Sequence, residues 1–350
     1  MTKFVVTTRK EVLESLKKEG YKIVGVDGTV PGAEHLYDYS FDHHRQCGAD
    51  IQLDEMLDGS EHLVGKIDPI IYDEHFLIVT TQVDADAIVA AYRIAQWDEF
   101  DYYNLQGVGS WHLRGSQDNF QFLRAISYDC DHLCVPNELN RFADDAAMVV
   151  AALKEEGNKV AQELELPTNR REWSIEDKEK YSSLCFERGV QRIDDLLEGK
   201  WDYRKIARPY WEKVKSNMEI IQNENRIEEY KGCLIFHQAG MEGYIDPRCW
   251  IRNIENYPEY PITVTQREVW VNNEFQGYSY TLGTVPLHPK QKEWDYTKGV
   301  FNALTEAERK NNPEADGWGG RATVGGSGWN TPSTLSSKEV IDVVLATSEI

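Results

Sequence analysis

Phe76-Leu77-Ile78-Val79-Thr80-Thr81, then Gln82-Val83-Asp84-Ala85-Asp86, then Ala87-Ile88-Val89-Ala90-Ala91-Tyr92-Arg93-Ile94-Ala95, reads as a buried strand, a turn and a helix. The first segment is a short apolar run with β-branched residues; in the last, Ile88, Ala91, Tyr92 and Ala95 recur with helical period. The same alternation precedes it: Phe4 to Thr8 is a β-branched run, Val12, Leu13 and Leu16 fall at helical spacing before Gly20, and Tyr21 to Val26 is a second strand. Repeated strand-helix-strand units predict an α/β fold with a parallel sheet and covering helices. In such sheets ligands bind beyond the carboxyl ends of the strands.

At 350 residues the chain exceeds what one core holds, so two domains are expected. Its 41% hydrophobic and 11% aromatic residues are those of a globular protein, and no run approaches the ~18 apolar residues of a membrane span. The N-terminus has the character of a first strand and not of a signal peptide, which makes the cytoplasm the expected compartment. Six cysteines without a Cys-x-x-Cys pair favour reduced thiols over a disulfide framework. Cys130-x-His132-x-Cys134 has no established zinc-site spacing. A net charge of −21 argues against a broad phosphate-binding surface, so long nucleic acid is not the expected partner.

Two stretches carry candidate chemistry. Asp27 ends the run Ile23-Val24-Gly25-Val26, and Asp42-His43-His44 follows in a loop, together offering mixed oxygen and nitrogen donors for Mn²⁺, Co²⁺ or Zn²⁺. Asp84 and Asp86 lie two apart at a strand-to-helix junction, where two carboxylates converge on a cation while the free amides of the helix's first turn attract phosphate oxygens. Asp84 as a helix N-cap and Asp86 as a first-turn acid are the purely structural alternative.

Asp84-Ala85-Asp86-Ala87-Ile88 resembles the Asp-x-Asp motif of the DHH phosphoesterase superfamily, Asp42-His43-His44 resembles its name-giving motif, and Asp27 the strand-end aspartate before it. Gly317-Trp318-Gly319-Gly320-Arg321-Ala322-Thr323-Val324-Gly325-Gly326-Ser327 is similar to the glycine-rich substrate loop of the DHH-associated C-terminal domain. Two departures stand out. Asp-His-His precedes Asp-x-Asp here, the reverse of the usual order, as though the sheet were circularly permuted; and Thr80 stands where many relatives carry a His four residues before the first Asp.

The resemblance implies two ions, Mn²⁺ or Mg²⁺, held roughly 3.5 to 4 Å apart by Asp27, His43, Asp84, Asp86 and an aspartate at a further strand end. Ala125 to His132 supplies the candidates Asp129 and Asp131, which strand alternation would put on one face with Cys130 and His132 on the other. His44, Asp84 and Asp86 are the expected catalytic residues. His44, Gly319, Gly320, Arg321, Gly325 and Gly326 are expected to meet substrate, Arg321 as a bidentate phosphate clamp. The implied activity is hydrolysis of a small phosphate ester, nucleotide or short oligonucleotide in an interdomain cleft, with a noncatalytic nucleotide-binding or assembly protein and a single-strand exonuclease as alternatives. Oligomeric state is not legible.

The expected domains are 1–200, metal-binding; 201–225, a helical linker; and 226–350, substrate-binding. The segment from Pro136 to Glu224 is helical in pattern, and Leu234-Ile235-Phe236, Ile262-Thr263-Val264, Val269-Trp270-Val271 and Tyr278-Ser279-Tyr280-Thr281 read as strands of a smaller α+β domain. Ser336 and Glu339 cap a last helix, Val340 to Ala346. Trp111, Trp250, Trp270, Trp294 and Trp318 serve either as base-stacking platforms or, preferentially, as core.

Overall fold

A computed structural model of the chain describes residues 3–42, 75–95, 117–132, 141–243, 245–286, 288–328 and 330–347. They form a two-domain α/β fold that divides into compact units Met1–Trp211 and Glu212–Ile350. Among the described residues no helix is long and apolar enough to cross a membrane.

The first unit is built on four parallel strands, β1 (Lys3–Val6), β2 (Lys22–Val26), β3 (Tyr39–Phe41) and β4 (Phe76–Thr80), in the order β1-β4-β2-β3. The pleat explains why β4 is apolar along its length: Ile78 joins one core with Val24 and Val26, while Leu77 and Val79 join another with Leu13 and Ile23. Helix α1 (Lys10–Lys18) contributes Leu13 to the second core. The first core is lined by α2 (Ala85–Ala95), α3 (Gln117–His132), α4 (Ala143–Glu163) and α5 (Ile175–Leu197). Gly189 of α5 lets α2 approach closely, since a Cβ there would stand 2.6 Å from Ile88 Cδ1. Ser174 and Asp177 close a capping box at the start of α5.

One expected element is corrected. Ala125 to His132 is not a strand but the end of α3, because Leu123, Ile126 and Cys130 lie three and four apart and present one helical face to α2 and the core. The Phe122 ring reinforces this packing by stacking on Phe142 at 5.2 Å.

Helix α6 (Tyr203–Asn223) spans the boundary between the units. The second unit carries a six-stranded mixed sheet of β5 (Ile227–Tyr230), β6 (Cys233–His237), β7 (Ile262–Val271), β8 (Glu274–Thr284), β9 (Gly319–Gly320) and β10 (Gly325–Gly326), ordered β5-β6-β7-β8-β10-β9. The expected segments 262–264 and 269–271 are thus two parts of one strand. The short helix α7 (Pro247–Ile251) follows β6, and α8 (Val300–Asn311) and α9 (Ser337–Thr347) place Val300, Leu304, Val340, Ile341 and Val344 in one core with Ile235, Val264 and Leu282. Ser336 and Glu339 exchange the hydrogen bonds of the expected cap of α9.

Candidate metal centre

Three strand ends come together because β4 pairs with β2 and β2 with β3, all parallel. Asp27 follows Val26 at the end of β2, buried to 3% exposure, and its backbone N–H donates to the Phe41 carbonyl at 2.8 Å. Its φ of +45° lies in the left-handed region. The other non-glycine residues there, such as Glu165 after α4 or Asn272 and Asn273 in the β7–β8 turn, sit where helix ends and tight turns use that conformation. Asp27 instead sits at a strand end beside acidic residues, where backbone strain is commonly held in place for function. Gly28 follows with φ +123°, and a Cβ there would stand 2.4 Å from Thr81 Oγ1. Asp42, at the end of β3, is fully buried.

The β4–α2 junction supplies the next acids. Thr80 is fully buried, and its hydroxyl donates to the Gln82 carbonyl at 2.8 Å and lies 3.4 Å from the Asp27 carbonyl oxygen. Residue 80 thus ties two strand ends together where the resemblance expects an imidazole. Gln82 Nε2 donates to Asp84 Oδ2 at 3.1 Å, and the Ala87 N–H points at Asp84 Oδ1 from 3.4 Å. Asp84 is therefore a helix cap, as the structural alternative held, yet its carboxyl also meets other acids. Burial pushes the Asp84 carboxyl up from 3.8 to about 7; a hydrogen bond with Asp86 opposes the rise, and the charge of Asp27 together with a hydrogen bond to it adds to the rise. Asp86 is 1% exposed.

Cys130 is the residue that the sequence did not bring into the site. Oxygen atoms of Asp84 and Asp86 and the Cys130 Sγ lie within 4.8 Å of one another. Burial first, and then the charges of Asp84 and Asp86, push the thiol well above its ordinary range, while the backbone N–H groups of Ala85 and Asp86 act against them. The expected separation of Asp129 from Cys130 by strand alternation is overturned: on a helix the two are successive, about 100° apart. Asp129 is buried at 6% exposure, and Cys130 stands at the cluster of Asp84 and Asp86. The helical spacing of Leu123, Ile126 and Cys130 was the available signal.

His43 and His44 lie outside the described residues, as do the side chains of Asp131 and His132. Gly319 and Gly320 form β9, Gly325 and Gly326 form β10, and the exposed Arg321 sits in the turn between them, its N–H donating to the Val324 carbonyl at 2.7 Å. Packing already requires three of these glycines, because a Cβ on Gly320 would stand 2.3 Å from the Val324 carbonyl oxygen, one on Gly325 2.4 Å from the Phe301 ring and one on Gly326 2.6 Å from the Tyr280 carbonyl oxygen. Trp250 stacks on Phe236 and Trp318 on Tyr280 inside the second unit, whereas Trp270 is 56% exposed beside Phe275. Trp111 lies outside the described residues.

No protein-family model and no curated protein matches the sequence. Among solved structures the chain is similar to a pGpG-specific phosphodiesterase, PggH, from Vibrio cholerae, at 10% identity and a TM-score of 0.38, over 93% of this chain and 97% of that one. It is also similar to an uncharacterized protein from Helicobacter pylori G27, at 9% identity and a TM-score of 0.20, over 96% of this chain and 86% of the other.

Proposed function

We propose that the protein is a divalent-metal-dependent phosphoesterase acting on a small phosphate ester, nucleotide or short oligonucleotide. One observation carries this reading: Asp27 and Asp84 follow the ends of the adjacent parallel strands β2 and β4, where the charge of Asp27 acts on Asp84, and carboxyl oxygens of Asp84 and of Asp86 in the first turn of α2 lie within 4.8 Å of each other. Like charges buried together raise each other's proton affinity and disfavour the ionised set, unless a cation neutralises them. The donor set fits such an ion, since carboxylate oxygens suit Mg²⁺ and Mn²⁺. When bound, the ion supplies positive charge that polarises a phosphoryl oxygen and acidifies water.

The chain's own residues do the rest. Gln82 and the Ala87 N–H orient Asp84, and the Thr80 hydroxyl holds the end of β4 against that of β2. The N-terminus of α2 faces the same edge and favours the negative charge of a phosphate. His43 and Asp129 or Asp131 are assigned as further ligands, to a second ion of the same kind. His44 is assigned to phosphate orientation or leaving-group protonation, and Arg321 with its neighbouring glycines to a terminal phosphate.

The test is Mn²⁺-stimulated hydrolysis of bis(p-nitrophenyl) phosphate together with metal content. Hydrolysis that needs the added ion and disappears in the Asp84→Ala/Asp86→Ala double variant supports the proposal. Undiminished hydrolysis in that variant sinks it, and metal binding without turnover in the wild type points to the noncatalytic alternative. Pyrophosphate, dinucleotides, mononucleotides and longer single strands, each run with wild type and Arg321→Ala, then resolve the substrate class.

A further inference from the structure

We propose that Cys130 is a ligand of the ion held by Asp84 and Asp86, and that its sulfur makes the site favour a thiophilic cation such as Zn²⁺ or Co²⁺ over Mg²⁺. The inference rests on the metal-site reading above and specifies which ion the site selects.

The geometry supports it in three ways. The thiol and the two carboxylates arrive from different helices, α3 and α2, yet their donor atoms lie within 4.8 Å of one another. Bonds of about 2.0–2.3 Å to oxygen and sulfur at near-tetrahedral angles hold donors roughly 3.3–3.6 Å apart, so side-chain rotations that draw the three atoms together by about 1 Å complete the set. The second point is placement. Leu123 and Ile126 carry the core-facing side of α3 into apolar packing, and one turn further on the same face sets the Cys130 sulfur beside the Asp84 and Asp86 carboxylates. The third is the donor class: thiolate ligands select Zn²⁺ and similar ions, while Mg²⁺ takes oxygen.

The experiment titrates the full-length protein with Co²⁺ and follows its absorption. The expected result is a near-ultraviolet thiolate-to-cobalt charge-transfer band in the wild type, together with the visible bands of bound cobalt. Cys130→Ser should keep the visible bands, lose the charge-transfer band and lower the preference for Zn²⁺ over Mg²⁺ about tenfold. Cys130→Ala, which adds no oxygen donor, should lose the same band, and circular dichroism checks the fold of both variants. Cobalt bound by the wild type without a charge-transfer band, or a band that survives in both variants, overturns the role of Cys130 and leaves the carboxylate site standing. Failure of the wild type to bind Co²⁺ at all overturns both.

Discussion

Glu308 in the second unit is an acid withdrawn from water and Asp84 in the first is partly so, and their surroundings are opposite. Glu308, on α8 and 2% exposed, accepts hydrogen bonds from the Ser333 hydroxyl, from the Thr334 N–H at 2.7 Å and from the Thr334 hydroxyl at 2.9 Å. It anchors residues 333–334, and Ser333 in turn exchanges backbone hydrogen bonds with Tyr278 of β8. Asp84 has two donors of its own, Gln82 and Ala87, but its carboxyl also meets those of Asp27 and Asp86. Burial alone thus says little about role. A carboxylate ringed by donors holds structure together, whereas one among other carboxylates stands in a site that a cation completes.

The largest expected effect separates the two by activity. Asp84→Ala/Asp86→Ala should reduce metal-dependent phosphodiester hydrolysis about a thousandfold or more. Its thermal stability without metal should match or exceed that of the wild type, because repulsion is removed. Loss of stability in place of activity would dissolve the contrast. Glu308→Ala should do the reverse, costing roughly 2 kcal/mol in urea unfolding with hydrolysis per folded molecule retained, since it leaves the buried Ser333 hydroxyl without its acceptor and releases Thr334.

The pH dependence sharpens the comparison further. The folded Asp84 carboxyl is raised from 3.8 to about 7, so the native state binds the proton more tightly than the unfolded chain. Its stabilising contribution is complete below about pH 4 and is lost as pH rises toward and through 7. The metal-free protein should lose on the order of 2 kcal/mol over that range, about half the full linkage because the proton is shared with Asp27 and Asp86. Asp84→Asn should flatten the slope, and added Mn²⁺ at pH 8 should restore stability; an unchanged slope in Asp84→Asn would remove Asp84 as its source. The smallest effect concerns the backbone. Gly28→Ala should cost about 1–2 kcal/mol, from its φ of +123° and the crowding by Thr81, and should weaken metal affinity by displacing Asp27. Equal losses of stability with unchanged metal affinity would confine Gly28 to a structural role.

Much of the first unit was legible in local pattern. β1, α1, β2, β4 and α2 lie where apolar runs and helical spacing put them, and the Asp84 cap follows from its place before α2. β3 was not foreseen, because three residues are too few to carry a period. Ala125 to His132 reads as a strand for a related reason: a short apolar run is ambiguous, and the packing of α3 against α2 and α4 resolves it.

By itself the sequence determined the α/β alternation, the strand-end positions of Asp27 and Asp84 and the acids of the Asp-x-Asp turn, all through interactions among residues a few positions apart. Tertiary structure alone decided that β4 inserts between β1 and β2, which sets Asp84 beside Asp27 although 57 residues separate them. It also brought Cys130 to the same acids. Strand order and helix docking depend on which surfaces bury each other across long stretches of chain, and no local spacing records that choice.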